Sequence, residues 1–182
     1  DDAAGEAFDK VARTLGLGYP GGPAVAKAAL GGSETAYPLP TPHVEGAYNV
    51  SFSGLKTAVL NAVNRARQAG EEVDVPGMAA SFQWRITEIL AEKLLAAARD
   101  TGAARICIAG GVGANEALRR KVQQGALALG AQVFLPQLSL CGDNAAMVAA
   151  QGYYEFLAGH TAHSNLNGLP TLGIDDESLD GP

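Results

Sequence analysis

Few residues in this sequence are placed to do chemistry, and the densest group is a glycine turn. Ile108-Ala109-Gly110-Gly111-Val112-Gly113-Ala114-Asn115 joins the apolar run 106–109 to a segment of helical period opening at Glu116. A strand, a glycine turn and a helix start leave several backbone N–H groups aimed at one spot. The helix dipole makes that spot favourable for an anion or an electron-rich ring edge. Glycine lacks Cβ, so a ligand can approach the backbone closely. The turn therefore reads as a nucleotide edge in an α/β domain. G-x-G-x-x-G spacing is absent, and no Gly-Lys-Ser/Thr follows, so it is neither a Rossmann turn nor a Walker loop.

Other candidates are scattered. Asp9 lies one residue past the aromatic that starts an apolar helical stripe, where a surface carboxylate paired with a lysine or arginine is the simpler expectation. Gly21-Gly22 precedes a helix start and reads as a tight connector or a second point of backbone approach. Asp143 stands where a helix begins, as a candidate N-cap or, alternatively, a metal ligand or a carboxylate aimed into a cleft. His160 and His163 have helix-compatible spacing but no third ligand nearby, and read as exposed. Arg119-Arg120-Lys121 reads first as a solvated helix face and second as a local patch for RNA.

The elements that must carry these residues follow from periodicity. The spacing predicts a helix over 2–15 with Phe8, Val11, Ala12 and Leu15 inward and Asp1 or Asp2 as cap. A short helix over 23–30 follows, with Pro23 at its first position. Prolines 38, 40 and 42 mark a long loop, 33–49, and 50–53 alternates like a brief strand. A helix over 54–69 carries Leu55, Val59, Leu60 and Val63. The longest helix, 78–98, buries Phe82, Ile86, Ile89, Leu90 and Leu94; Trp84 falls off that stripe and reads first as core filling and second as a sideways contact to a partner or another lobe. Strand 106–109, a helix from 116, strand 132–135 and an alanine-rich helix from 143 to about 159 complete a βαβα run, and the residues beyond read as a mobile tail.

The 182 residues, 47% apolar and 18% charged, suit one domain or one and a small part. Two cysteines make no disulfide framework and fit a reducing cytoplasm. No apolar run reaches the length of a membrane span. A formal charge of −6 argues weakly against a broad nucleic-acid surface.

Five stretches taken in order resemble one family. They are Asp-Asp-Ala-Ala-Gly-Glu-Ala-Phe-Asp-Lys at 1–10, Tyr-Pro-Gly-Gly-Pro at 19–23, Ser-Phe-Ser-Gly-Leu-Lys-Thr at 51–57, Ala-Gly-Gly-Val-Gly-Ala-Asn at 109–115 and Cys-Gly-Asp-Asn-Ala-Ala-Met at 141–147. Each is a weak signal alone, but five at compatible spacing are similar to the bacterial tRNA adenosine threonylcarbamoyltransferases, the TsaD family, from residue 1 to about 158.

The resemblance implies an actin-like ATPase (ASKHA, RNase H-like) fold of two α/β lobes. This chain would hold the second, with cleft-facing helices at 1–32, the lobe at 33–159 and the tail at 160–182. It implies transfer of a threonylcarbamoyl group from threonylcarbamoyl-adenylate to the exocyclic amine of the tRNA adenosine 3′ of the anticodon. Asp9, Gly22 and Asn115 correspond to adenylate-binding residues. Asp143 corresponds to a carboxylate ligand of one divalent metal ion, iron or zinc. Expected partners are tRNA and the proteins TsaB and TsaE, in the cytoplasm and away from membranes.

One departure is large. The family's first lobe carries an H-x-x-x-H pair and a Ser-Gly-Gly-His phosphate turn, whereas the histidines here are His43, His160 and His163, in other contexts. The chain is therefore expected to be a C-terminal portion, inactive alone, with the remaining metal ligands in the missing lobe. The alternative is a non-catalytic scaffold of the same modification complex, which would have no need for a cleft carboxylate. A sugar kinase would need a catalytic aspartate and phosphate turn not found here, and a protease would need an H-E-x-x-H or Ser/His/Asp order, also not found.

Overall fold

The computed structural model describes residues 2–162 and 167–168. Asp1, His163 and most of the expected tail lie outside them. The chain divides into two units, Asp1–Gly142 and Asp143–Pro182.

In the first unit, helices α1 (Ala4–Thr14), α2 (Gly21–Ala29), α3 (Ser53–Ala69) and α4 (Val75–Thr101) precede strand β1 (Arg105–Cys107). A 3₁₀ turn (Gly111–Ala114), α5 (Glu116–Leu129), β2 (Gln132–Phe134) and a second 3₁₀ turn (Leu138–Leu140) follow. The second unit carries α6 (Ala145–Leu157).

Helix α4 is the spine. Asp74 caps it by accepting the Gly77 N–H at 3.0 Å, and Gly102, at φ 66°, ends it in the left-handed conformation. Its 27 residues extend for roughly 40 Å at the usual α-helical rise. The first half buries Met78, Phe82 and Ile86 in a core shared with Phe8, Val11, Val25, Leu55 and Val59. Phe8 and Phe82 meet edge-to-face with ring centroids 5.2 Å apart, the arrangement favoured by the aromatic quadrupole. The second half buries Ala91 and Ala98 in another core with Ile106, Ile108, Leu118, Val122 and Ala126. Gly125 lets α5 pack close to α4, since a Cβ there would fall 2.1 Å from Leu95 Cδ1.

The sheet is a parallel pair with Ile106 opposite Val133. Both side chains turn toward the α4–α5 core, while Cys107 and Phe134 on the other face are exposed. Val112, in the glycine turn, packs against both cores. This apolar contact holds the turn at the junction between the α1–α4 core and the βαβ core.

Several local expectations change. Helix α2 starts at Gly21, two residues before the expected position, so Pro23 is its third residue and still occupies a site where no intrahelical N–H is needed. No strand forms over 50–53: Phe52 is drawn into the core and Ser53 opens α3. Leu60 is 44% exposed, because the α3 stripe closes on Leu55, Val59 and Val63. Asp2 does not cap α1; its carboxylate is taken up by Lys10 and Lys56, each at 2.6 Å. Trp84 does not fill the core: its ring is flanked by the Arg85 guanidinium at 4.7 Å and the Lys121 ammonium at 4.8 Å, cation–π contacts at a half-buried site.

Candidate functional site

A cavity of about 940 Å³ opens in the first unit where α1, α2, α4, the glycine turn and α5 converge. Phe8, Pro23, Ala26 and Val112 give it apolar walls; Asp9, Gln83 and Asn115 give it polar groups. This mixture and volume suit a small organic ligand held by a few directed hydrogen bonds. Asp9, Gly22 and Asn115, distant in sequence, all line it, and so does Gly111.

Asp9 is half-buried, and its Oδ1 accepts the Gly21 N–H at 2.7 Å. The carboxylate therefore sits on the positive end of α2, which favours its charge. No lysine or arginine pairs with it among the described residues, so the expected surface ion pair is replaced by a helix-end contact. Asp9 lines the cavity, and its Oδ2 has no hydrogen-bond partner among the described residues.

Gly21 and Gly22 have separate jobs. A Cβ on Gly21 would lie 2.5 Å from Asp9 Cα and 2.7 Å from Asp9 Oδ1. A Cβ on Gly22 would meet no described atom within 4 Å. Gly21 thus makes room for a neighbouring helix, and Gly22 leaves the cavity open to the backbone.

Asn115 is the N-cap of α5: its Oδ1 accepts the Leu118 N–H at 3.1 Å, and its Nδ2 donates to Gln83 Oε1 at 3.0 Å. One N–H and one lone pair of the amide remain for a ligand. The 3₁₀ conformation of Gly111–Ala114 spends part of the expected N–H array on its own bonds, with Gly113 N–H donating to Gly110 O and Asn115 N–H to Val112 O, both at 2.9 Å.

The basic run 119–121 is no uniform face. Arg119 turns inward: its Nε donates to Gly113 O, and its Nη2 to Pro136 O at 2.8 Å and to Cys141 Sγ at 3.1 Å. Lys121 donates to Trp84 O at 2.9 Å and pairs with Glu88 at 2.6 Å. Arg120 is exposed and borders the cavity, as Lys27 does from α2. Nothing in the sequence marks Gln83, and Arg119 reads there only as part of the solvated run 119–121. Each lies inside a helix, with partners 32 and up to 22 residues away, so no local pattern reveals those partners.

Asp143 opens the second unit and is exposed. It is not the cap of α6: that is Asn144, whose Oδ1 accepts the Met147 N–H at 3.1 Å. An amide one residue nearer the helix has taken the position. His160 is exposed and bonded to Glu155 at 2.7 Å. That contact holds the Glu155 carboxyl below its usual range. Among the described residues no group of three or more His, Cys, Asp or Glu side chains could hold a metal ion. One exposed carboxylate is too small a donor set for a stable site, so the residues present do not by themselves fit a metal centre.

Residues 1–150 match the family model of TsaD, tRNA N6-adenosine threonylcarbamoyltransferase. The chain is 49% identical over 174 residues to a relative of that name in Symbiobacterium thermophilum, covering 96% of this chain and 51% of that protein. It is 50% identical over 175 residues to the one in Desulfitobacterium hafniense, again with 96% and 51% covered. For Clostridioides difficile the figures are 46% over 176 residues, with 96% and 52% covered. The chain spans about half the length of the curated relatives it matches. With a family model covering most of its length, this chain belongs to the TsaD family of tRNA N6-adenosine threonylcarbamoyltransferases.

Proposed function

We propose that this chain forms an adenylate-binding part of a tRNA N6-adenosine threonylcarbamoyltransferase, within one lobe of an actin-like fold. The observation that carries the reading is the convergence of Asp9, Gly22 and Asn115 on one cavity whose wall is the glycine turn. In this reading Asp9 Oδ2 accepts from a ribose hydroxyl, Gly22 admits the ligand against the backbone, and Asn115 offers its remaining N–H and lone pair to a polar edge.

The reaction is acyl transfer. The exocyclic amine of the tRNA adenosine attacks the carbamoyl carbon of the mixed anhydride; a C–N bond forms, the C–O bond to the phosphate breaks, adenylate leaves and the amine loses a proton. The residues present here bind and orient the departing adenylate. Asp143 is proposed as one ligand of an iron or zinc ion whose other ligands are not among the described residues, and no step is assigned to it. Among the described residues no helix is long and apolar enough to cross a membrane. Cytoplasmic action on tRNA with TsaB and TsaE is part of the proposal.

The 182-residue chain is expected to be silent alone. Incubated with the partner proteins, threonylcarbamoyl-adenylate and unmodified tRNA, it should yield no modified nucleoside, whereas the full-length enzyme should. Modified nucleoside above background from the chain would overturn the idea that activity needs more than these residues. Titration of the full-length enzyme with AMP tests the pocket itself, and no binding at millimolar ligand would remove the adenylate reading.

A further inference from the structure

We propose that Gln83 contacts the ligand directly, donating from its side-chain amide to a ring nitrogen of the bound purine while its carbonyl oxygen fixes Asn115. The inference rests on the adenylate reading of the cavity and deepens it.

Two side-chain amides orient each other at the cavity edge. Asn115 Oδ1 is committed to the Leu118 N–H, so its Nδ2 must face away from α5. That Nδ2 donates to Gln83, and only the oxygen of Gln83 can accept. The Gln83 amide is oriented in turn, with its NH₂ end directed away from Asn115. Among the described residues that NH₂ group makes no hydrogen bond, and Gln83 lines the cavity. The start of α5 thus sets the polarity of the cavity edge through two side chains.

The backbone behind Gln83 is firm. Phe82 and Ile86 on either side are fully buried, and the Gln83 carbonyl accepts the Thr87 hydroxyl at 2.8 Å. The side chains of Phe8, Pro23 and Val112, which line the same cavity, carry no acceptor and suit the face of a flat ring. A donor held beside an apolar slot rewards a ligand that carries an acceptor at its edge. It penalises one that does not, because the amide would lose water and gain nothing. Purine ring nitrogens are acceptors of that kind.

Calorimetric titration of the full-length enzyme with AMP separates the two roles. Gln83→Glu keeps an oxygen for Asn115 but removes the donor; Gln83→Leu removes both. Each is expected to weaken AMP about 10-fold or more, the scale of discrimination when a buried polar partner is lost. The 1-, 3- and 7-deaza analogues of AMP carry the test in wild-type enzyme, where folding is not in question. One of the three should bind wild type weakly yet bind Gln83→Leu no worse than AMP does. Wild-type affinity for AMP in Gln83→Glu, or equal binding of all three analogues to wild type, overturns the assignment of Gln83 while leaving the pocket intact. Failure of wild type to bind AMP overturns instead the adenylate reading beneath it.

Discussion

Gly21 donates its backbone N–H to the Asp9 carboxylate at 2.7 Å, and the contact exists only because residue 21 has no side chain: a Cβ would sit 2.5 Å from Asp9 Cα. The neighbouring Gly22 meets nothing. Gly21→Ala should therefore separate α1 from α2 and cost about 1–3 kcal/mol, the usual scale of overpacking. Gly22→Ala should change stability by less than about 0.5 kcal/mol yet weaken AMP binding in the full-length enzyme. Urea unfolding of both variants with AMP titration distinguishes them. Equal stability loss at the two positions would sink this division of roles.

Asn115 caps α5 and lines the cavity where it is proposed to meet the ligand, and two substitutions pull these roles apart. Asn115→Ala removes the α5 cap and should cost about 1 kcal/mol, with weakened AMP binding. Asn115→Asp keeps a capping oxygen with favourable charge at the helix start but loses the donor to Gln83. It should hold wild-type stability and still bind AMP poorly. Unchanged AMP affinity in both variants would take Asn115 out of the site.

The glycine turn, the α4 stripe and the βαβ order were legible in the sequence because they rest on local period and on residues adjacent in the chain. Asp9 was misjudged from spacing alone: its partner is the backbone N–H of a residue 12 positions on, and nothing at Asp9 announces it. The resemblance to a family, not the local pattern, singled it out. Asp143 failed as a cap because Asn144, equally suited by type, lies one residue closer to the helix; propensity names a class of residue and not the register. Phe52 read as part of a strand because alternation over four residues cannot tell a strand from a buried residue at a helix entry. Gln83 carries no local signal and Arg119 reads only as part of a basic run, for a different reason. Their meaning depends on tertiary neighbours, and each looks like an ordinary helical polar residue.

Arg119 is the strut that ties the glycine turn to the loop after β2, through Gly113 O, Pro136 O and Cys141 Sγ. A lysine offers a single point charge and cannot reproduce the fork. Arg119→Lys and Arg119→Ala should each destabilise the chain by about 1–3 kcal/mol, the cost of leaving part-buried acceptors unmet. Thiol labelling gives a local readout. Cys141 is 2% exposed and Cys107 is exposed, so wild type should label once quickly, at Cys107. Loss of the strut should speed labelling at Cys141 and leave Cys107 unchanged. Slow labelling of Cys141 in both variants would show that other contacts hold the loop.

Asp143 and Asn144 are adjacent, but their substitutions should act differently. Asn144→Ala removes the oxygen that accepts the Met147 N–H and should lower helix content, at a cost of about 1 kcal/mol. Asp143→Ala should leave circular dichroism unchanged. In the full-length enzyme it should reduce bound metal and turnover together. Wild-type metal content in Asp143→Ala would end its proposed role as a ligand.

The N-terminal ion cluster should make stability depend on pH. The Lys10 ammonium, and then Lys56, hold the Asp2 carboxyl below its usual range. The same contact with Asp2, followed by that with Glu6, pushes Lys10 up to about 12. A depressed carboxyl stabilises the fold above its unfolded pKa and loses that effect as pH falls through the folded value. A raised amine does the opposite: its contribution is present below the unfolded pKa of 10.5 and is lost as pH rises through about 12. Asp2 joins α1 to α3 through Lys56, so the acid limb should report loosening of α1. Asp2→Asn should flatten the fall in urea midpoint as pH drops from about 5 through the carboxylate range and should leave the profile near neutrality parallel to wild type. An acid limb as steep in Asp2→Asn as in wild type would assign the loss to other carboxylates.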